Sequence, residues 1–368
     1  MSIETLPLTD LGSAAAAVVE KLKPRIIRHE PGVYFGMPDD EYHSDIGLGS
    51  TGLKNLLISP AVYWAESNYN PDRKPFSTRY TERGKGLHDC VLFGRETFLG
   101  KYAREPLVED YPGALVTMDD MRAFLRARGL PTTAKRKEEL AARIRENCDG
   151  YVIWDDVLAE VAASGKTILK AADYDAILTA AAMIRLNPSL ENCFENGLPE
   201  VSVFWEDNGV RFRARFDYLR MNSIVDLKSF TNPMGKPIPQ AIRSTFANRR
   251  HDIQASLYMT AREKARQFIR EGRVFGEVDM DWLRALAEVD EYSFAFCYHL
   301  MDDNGAVVTQ GKTIRPGGHI DAAASAQIAR LADVWRENYA RFGESMWVDL
   351  TPLEEFTEED LPIWLGTR

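Results

Sequence analysis

The sequence predicts an α/β fold in which helices flank a central mixed sheet, and three observations predict it. Apolar residues recur at helical spacing through most of residues 50–187, and from Glu200 the period switches to two for three successive strands. Helix and strand patterns then alternate as far as residue 342, so the expected order is helices, three strands, helix, two strands, helix. At 368 residues the chain is long enough for one large domain, or for a core carrying a small insertion. Hydrophobic residues at 45% and charged residues at 27% exclude a disordered chain.

Residues 1–30 read as an N-terminal arm with a short helix over 14–23. Pro31-Gly32 then opens an extended piece, Val33-Tyr34-Phe35. Gly49-Ser50-Thr51 precedes Leu53, Leu56, Leu57 and Val62, a helical spacing that ends near Ser59-Pro60 or just past it. A second helix is expected over 80–93, with Gly84 and Gly86 on it and His88 in its middle. Residues 116–147 form a self-contained helix pair. Thr117 and Asp120 make a capping box for the first helix, Met121, Phe124 and Leu125 form its apolar stripe, and Gly129-Leu130-Pro131 ends it. The second helix runs over 134–146 with Leu140 and Ile144 inward. Residues 151–187 continue helical to a stop at Asn187-Pro188.

In the first strand Val201, Val203 and Trp205 alternate with Ser202 and Phe204, and Asp207-Asn208-Gly209 turns the chain. The returning strand places Val210, Phe212, Ala214, Phe216 and Tyr218 on one face, and Arg211, Arg213, Arg215 and Asp217 on the other. A third strand over 224–230 sets Asp226 and Lys228 on one side of the sheet. A helix over 252–271 follows, then a hairpin, 292–300 and 306–314, turned by Asp302-Asp303-Asn304-Gly305, and a last helix over 320–342.

Composition narrows the function. The cysteines at 90, 148, 193 and 297 show no CxxC pair and no histidine at metal-ligand spacing, so neither a disulfide framework nor a zinc or iron–sulfur site is expected. The net charge of -10 argues against a protein that coats nucleic acid nonspecifically. Local basic patches remain: residues 119–146 carry eight Lys or Arg against five Asp or Glu. The apolar run over 14–19 is too short to span a bilayer and no signal-peptide cleavage pattern follows it, so a cytoplasmic protein with no membrane partner is expected.

The stretch that carries chemistry is Glu200, Asp217, Asp226-Leu227-Lys228, then Gln254 and Tyr258. Phosphodiester hydrolysis needs an activated water, a Lewis acid on the scissile oxygen and relief of developing charge. Carboxylates holding Mg²⁺ supply the first two, and a lysine supplies the third. Two apart on a strand, Asp226 and Lys228 point the same way, and Asp217 on the adjacent strand can reach the same metal. A lone D-x-K triplet is commonly a solvated strand edge. Here it lies in a largely apolar strand after a hairpin, with Asp217 nine residues upstream and the Gln254 and Tyr258 helix following. His251 lies on roughly the same helix face and is open to two roles, binding DNA phosphate or orienting Gln254. Arg215 either steadies a carboxylate, contacts phosphate, or makes a cross-strand ion pair. A single helical histidine such as His88 is more often packed than a ligand.

The runs Pro199-Glu200-Val201-Ser202-Val203-Phe204-Trp205, Arg213-Ala214-Arg215-Phe216-Asp217, Ile224-Val225-Asp226-Leu227-Lys228 and His251-Asp252-Ile253-Gln254-Ala255-Ser256-Leu257-Tyr258 resemble the core of RecE-type exodeoxyribonucleases of the PD-(D/E)XK superfamily. So do Gly32-Val33-Tyr34-Phe35, Asp40-Glu41-Tyr42-His43, Ser59-Pro60-Ala61 and Gly86-Leu87-His88; the resemblance covers about 31–110 and 165–366, weakly over 350–364. It implies a PD-(D/E)XK core over 31–115 and 148–368. It also implies a Mg²⁺ site, with Mn²⁺ able to substitute, ligated by His88, Asp217 and Asp226 with help from the Leu227 carbonyl. Lys228 would be catalytic, and Glu200, Gln254 and Tyr258 would support water, a second metal or substrate. The implied activity is degradation of linear double-stranded DNA, 5′ to 3′, leaving 3′ single strands for a single-strand annealing recombinase. A homo-oligomer is implied as well.

Residues 116–147 resemble a SAP motif, a small DNA-binding helical unit, through 121–131 and 139–144. The resemblance departs where Ala134 and Arg136 occupy the turn that often holds a glycine. As an insertion it would bind DNA through Lys135, Arg136 and Lys137; otherwise it is a solvated basic pair with a packing role. Two rival functions stand beside the exonuclease: a structure-specific or restriction-type endonuclease on the same fold, and a non-catalytic DNA-binding protein.

Overall fold

A computed structural model describes residues 26–74, 79–190, 192–302, 305–350, 355 and 357–360. The arm helix expected over 14–23, the turn residues Asp303 and Asn304, and most of the 350–364 tail lie outside the described residues.

The strands are β1 (Gly32–Tyr34), β2 (Tyr102–Arg104), β3 (Thr167–Leu169), β4 (Gly197–Asp207), β5 (Val210–Arg220), β6 (Ser223–Phe230), β7 (Val274–Phe275), β8 (Ser293–Leu300) and β9 (Thr309–Ile314). Seven of them form one sheet in the order β7-β1-β4-β5-β6-β8-β9. β1–β7 and β6–β8 pair parallel and the other neighbours pair antiparallel, so the sheet is mixed. β2 and β3 form a separate parallel pair.

Helices cover both faces. On one, the His251–Arg270 helix packs its apolar side on Val201, Val203, Phe212, Ala214, Phe216 and Ile224, beside Ser50–Ile58 and His319–Phe342. Every residue from Ile253 to Met259 on that helix is buried, because the sheet lies on one side and the His319–Phe342 helix on the other. Ser256 Oγ donates to Asp321 Oδ1 at 2.6 Å across that second contact. On the opposite face the helices Arg79–Leu92 and Ala171–Leu186 cover Tyr218, Val225, Leu227 and Cys297. They approach so closely at Gly86 that a Cβ there would lie 2.9 Å from Ile177 Cδ1.

The local chemistry explains most boundaries. Asp207 pairs with Val210, leaving Asn208-Gly209 as a two-residue loop with φ of 47° and 76°, the left-handed pair that a type I′ hairpin requires. Thr117 and Asp120 form the expected capping box, with Asp120 N donating to Thr117 Oγ1 at 3.1 Å and Thr117 N to Asp120 Oδ2 at 2.7 Å.

Several expectations are corrected. Residues 151–187 are two helices, Trp154–Ala163 and Ala171–Leu186, separated by Gly165 in the left-handed region and by β3. The helix beginning at Ser50 stops at Ile58, and Ser59, fully extended, caps a new helix, Pro60–Glu66. Residues 231–250, for which the sequence suggests nothing, contain the Ile238–Asn248 helix. Tyr218 does not share a face with Phe216. Phe212, Ala214 and Phe216 pack in the main core, whereas Tyr218 packs on the opposite face with Val225 and Leu227. The alternation of β5 therefore breaks at Asp217.

Residues 115–153 have a hydrophobic cluster of their own, in which Leu115, Met121, Leu125, Leu140, Ile144 and Ile153 are buried. Its two ends meet, with Leu115 N donating to Val152 O at 2.8 Å and Trp154 N to Leu115 O at 3.2 Å. The second helix of the pair begins at Lys137, later than expected, which leaves Lys135 and Arg136 on the extended turn before it. A chain in which residues 116–152 are replaced by a short Gly/Ser linker is expected to keep a cooperative thermal transition close to that of the parent. An unfolded product would show that the core depends on this unit.

Candidate active site

The site forms where the alternation of β4 and β5 fails together. Pro199 pairs with Tyr218 and Val201 with Phe216, but the position between them, Glu200 opposite Asp217, is not a bonded pair. Glu200 has φ 52°, a costly conformation for a residue with a Cβ, and strain of this kind persists only where surrounding contacts impose it. Arg215 is such a contact. Its Nε donates to Ser202 Oγ at 2.9 Å, one terminal nitrogen donates to the Met37 and Pro38 carbonyls at 3.0 and 3.3 Å, and the other lies 3.4 Å from Glu200 Oε2.

The ladder of β5 with β6, Leu219 on Ile224 and Tyr218 on Val225, ends before Asp217 and Asp226, the next position on each strand in that register. Glu200, Asp217 and Asp226 are thus neighbouring positions on three successive strands. Asp217 Oδ2 accepts from Leu227 N at 2.8 Å, and His88 Nδ1 lies 3.6 Å from the same oxygen. His88 Nε2 is 2.9 Å from the Leu227 carbonyl oxygen. Donor atoms of His88, Glu200 and Asp217 all lie within 4.8 Å of one another, a span that fits opposite ligands around a small divalent cation with bonds of about 2.1–2.4 Å. Asp226 is not in that cluster. Its carboxylate is fully buried on the His251–Arg270 side, where Gln254 Nε2 donates to Oδ2 at 2.7 Å and Lys228 Nζ lies 2.5 Å from Oδ1. The ammonium is close to Oδ1 but not aligned with it as a hydrogen bond, so a buried carboxylate oxygen is left without an aligned donor.

The electrostatics follow from this crowding. Burial, with Asp217 adding repulsion, pushes the Glu200 carboxyl up to about 8 and the Asp226 carboxyl up to about 6. Burial opposes the Lys228 charge, but Asp226 and Asp217 outweigh it and its pKa rises above the ordinary lysine value. Lys228 therefore remains a cation.

The remaining expected residues fall into different places. Tyr258 is buried in the main core, edge-on to Phe216 at 5.7 Å, one turn beyond Gln254. His251 is 5% exposed, stacks on Phe296 and pairs its Nδ1 with Tyr298 OH at 2.7 Å. Burial, with Lys228 and Lys54 adding repulsion, lowers its pKa to about 3. It is a neutral, packed group, which corrects the expectation of a phosphate contact. Arg215 is 7% exposed with its nitrogens engaged as described, so it steadies Glu200 instead of facing DNA. Its neighbours act alike: Arg211 donates to the His29 carbonyl and Arg213 to that of Tyr42, so the arginine row fastens residues 29–42 over the sheet. Lys135 and Arg136 are exposed, and Lys137 pairs with Asp155 at 2.7 Å.

Two cations escape sequence reasoning. Lys54 is half-buried on the Ser50–Ile58 helix, and burial, with repulsion from Lys228 added, lowers its pKa to about 8, against attraction from Asp226 and Asp252. Lys85, one turn before His88, lines a cleft of about 1100 Å³ with His88, Glu200, Lys101 and Lys166. Neither position carries a motif, since a lysine on an amphipathic helix normally marks only its solvated side.

No family profile matches the chain, and no curated protein sequence matches it. Among solved structures the chain is similar to a candidate exonuclease from Eubacterium rectale, at 11% identity and a TM-score of 0.42 over 82% of this chain and 88% of that one. It is similar to SSO0001 at 12% identity and a TM-score of 0.23, over 70% of this chain and 88% of that one. Likenesses this distant leave the chemistry to be read from the residues themselves. Among the described residues, no helix is long and apolar enough to cross a membrane.

The raised carboxyls give a signed prediction. A carboxyl whose folded pKa is raised stabilises the fold at pH values below its unfolded pKa, and that stability is lost as pH climbs through the folded pKa, here about 6 for Asp226 and about 8 for Glu200. A divalent cation binds the ionised forms, so Mg²⁺ or Mn²⁺ is expected to raise the thermal midpoint little at pH 5.5 and progressively more toward pH 8.5. A metal-induced shift independent of pH would contradict this cluster as the binding site.

Proposed function

We propose that the chain is a divalent-metal-dependent DNA nuclease of the PD-(D/E)XK kind, acting as a RecE-type exonuclease on the ends of linear duplexes. The observation that carries this reading is Lys228 paired with buried Asp226, while His88, Glu200 and Asp217 converge beside the Leu227 carbonyl of the same strand. Carboxylate and carbonyl oxygens with one imidazole suit a hard divalent ion.

We assign His88, Asp217, Asp226 and the Leu227 carbonyl to hold Mg²⁺, or Mn²⁺ in its place, with Glu200 beside them. When bound, the ion would polarise the scissile phosphoryl group and lower the pKa of a water. Lys228 keeps its proton, so it serves as a fixed positive charge and N–H donor toward the attacked phosphate and water, not as a base. Gln254 fixes the Asp226 rotamer through Oδ2 and leaves Oδ1 on the Lys228 side. Arg215 holds the strained Glu200 in place. Tyr258, one turn beyond Gln254 on the same helix, is assigned a supporting role there.

DNA would enter the cleft beside His88 and Glu200, where Lys85, Lys101 and Lys166 stand among Asp39, Asp89, Glu277 and Asp279, so a bound metal would supply part of the positive charge that phosphates need. The 5′-to-3′ direction, the 3′ single-stranded product, its transfer to an annealing recombinase, and a homo-oligomeric state rest on the motif resemblance. The SAP-like unit is assigned to a second DNA contact through Lys135 and Arg136, with Lys137 engaged by Asp155.

With Mg²⁺, linear duplex should be degraded while closed circular DNA survives, and a 5′ label should be released before a 3′ label. Cleavage of closed circles would favour the endonuclease reading, and no hydrolysis of either form would leave a DNA-binding protein. Asp226→Asn and Lys228→Ala are each expected to lower the hydrolysis rate by about 10²-fold or more, the scale for losing one preorganised electrostatic group, without unfolding the chain. Activity in either variant equal to wild type would remove the proposed centre.

For the SAP-like unit, Lys135→Ala with Arg136→Ala is expected to weaken DNA binding and flatten the logarithmic salt slope by about 1.8 for two lost phosphate contacts, with the cut site unchanged. An unaltered slope would mark this turn as solvated surface.

A further inference from the structure

A second cleft, of about 1000 Å³, shares Gly84 with the cleft that His88 and Glu200 line. It is lined by the stretch leaving β6, which begins at Ser229, the residue after Lys228. The first turns of the Arg79–Leu92 helix and the Ile238–Asn248 helix complete it. The two clefts differ in charge. Asp39, Asp89, Glu200, Glu277 and Asp279 line the first, whereas no carboxylate is among the described residues that line the second. The second carries Lys236 and Arg249, with Ser229, Thr231, Ser244, Thr245 and Asn248 as neutral polar groups. In a chain of net charge -10, such a cleft is a local reversal of sign suited to a polyanion.

Both cations are uncommitted. Lys236 is half-buried and Arg249 exposed, and neither makes an ion pair among the described residues, whereas neighbouring Arg250 is held by Asp252 at 2.9 Å. The loop itself places Lys236: Asn232 Oδ1 accepts from Lys236 N at 3.0 Å and Asn232 Nδ2 donates to the Lys236 carbonyl at 2.7 Å, around Gly235 at φ 59°. Arg249 N donates to Thr245 O at 3.0 Å, which fixes where its side chain leaves the helix end. A loop and a helix end set in this way lose little freedom when a ligand arrives. The positive field extends to the catalytic centre. His251 also lines this cleft, and besides burial the charges of Lys228, Lys54 and Arg249 all act on it. Gly84 keeps the passage between the clefts open: a Cβ there would meet only Ser229 Oγ, at 3.9 Å, so packing does not demand the missing side chain.

We propose that this second cleft holds the cleaved DNA strand beyond the scissile phosphate, with Lys236 and Arg249 gripping its backbone. The proposal rests on the nuclease reading above. A strand whose scissile phosphate lies at the metal ligands of the first cleft continues past Gly84 and Ser229 into the second. There the two cations pair with phosphate oxygens, and the hydroxyl and amide groups bond phosphate and sugar, which positions a strand without reading its bases. Positive charge is divided between the clefts: a bound metal supplies it where the carboxylates stand, and the side chains supply it where there are none.

The test separates binding from hydrolysis. With the full chain in EDTA, a fluorescein-labelled oligodeoxythymidine should bind, and unlabelled oligodeoxythymidine should displace it, while inorganic phosphate at the same phosphate concentration should not. Lys236→Ala with Arg249→Ala should lower the affinity about tenfold and flatten the logarithmic salt slope by about 1.4, for two lost contacts to a single strand. Lys236→Arg with Arg249→Lys should bind like wild type. So should Arg330→Ala with Arg336→Ala, the same loss of charge on the last helix, outside both clefts. With Mg²⁺ the Lys236 and Arg249 alanine pair should raise KM on linear DNA and leave kcat nearly unchanged, a split that a folding defect does not give. Photocrosslinking of a bromodeoxyuridine oligonucleotide to the unsubstituted chain should map to residues 229–249. No binding in EDTA, displacement by phosphate alone, crosslinks confined to other segments, or an alanine pair equal to wild type in affinity, salt slope and KM would each overturn the proposal. The nuclease reading fails separately. Binding through these residues with no hydrolysis would keep the cleft and lose the enzyme, whereas hydrolysis unaffected by the alanine pair would keep the enzyme and lose the cleft.

Discussion

A carboxylate fully buried in the middle of a seven-stranded sheet is the constraint on which the rest of this structure depends. An unpaired charge at Asp226 would cost several kcal/mol after relaxation, so the surrounding structure has to compensate it. Lys228 supplies opposite charge from the same strand, and Gln254 supplies a hydrogen bond from the helix packed on top. Both partners are imposed by geometry: Lys228 must be two residues away to share the face, and Gln254 must sit in the buried half of the helix. That requirement accounts for Gln254 within Ile253–Met259, a stretch in which Ser256 instead bonds Asp321 of the last helix. The compensation is incomplete, since burial and the nearby Asp217 still hold the carboxyl pKa above its ordinary value.

A second constraint acts on the neighbouring strands. A regular β4–β5 pair would alternate strictly, and Asp217 and Glu200 would then form an ordinary cross-strand pair of like charges, which is unfavourable. The ladder opens at that position instead, and Glu200 adopts a left-handed conformation. Arg215 stabilises the irregularity by bonding Ser202 beside it and the Met37 and Pro38 carbonyls above it. The N-terminal segment is therefore part of the site's support: the arginine row on β5 captures its carbonyls at His29, Met37, Pro38 and Tyr42. The row of arginines along one face of β5 is, in three dimensions, the attachment of one layer to another.

The helical unit at 115–153 obeys a different logic. Its apolar residues are satisfied among themselves, and its ends meet through backbone hydrogen bonds, so it can be carried by the core without sharing its hydrophobic cluster. Ion pairs from Lys137 to Asp155 and Arg145 to Asp156 join it to the following helix, and being exposed they contribute orientation more than stability. Part of the positive charge that suggested DNA contact is spent there, leaving Lys135 and Arg136 outward.

The sequence by itself determined what depends on local periodicity and short-range chemistry. That includes the mixed α/β architecture, the Asn208-Gly209 hairpin, the capping box at Thr117, and the placing of Asp226 with Lys228 on one strand face. Each is set by residues within a few positions of one another. The tertiary structure alone decided whatever needed partners distant in the chain. His88 reaches the Leu227 carbonyl across 139 positions, Glu200 leaves the regular ladder, and His251 and Arg215 are buried where their residue types suggested solvent. Lys54 joins the charged centre with no motif to announce it. The physical reason is common to all of these: a side chain's exposure, charge state and partners are properties of the layers packed around it, and periodicity along one segment carries no record of which segment will cover it.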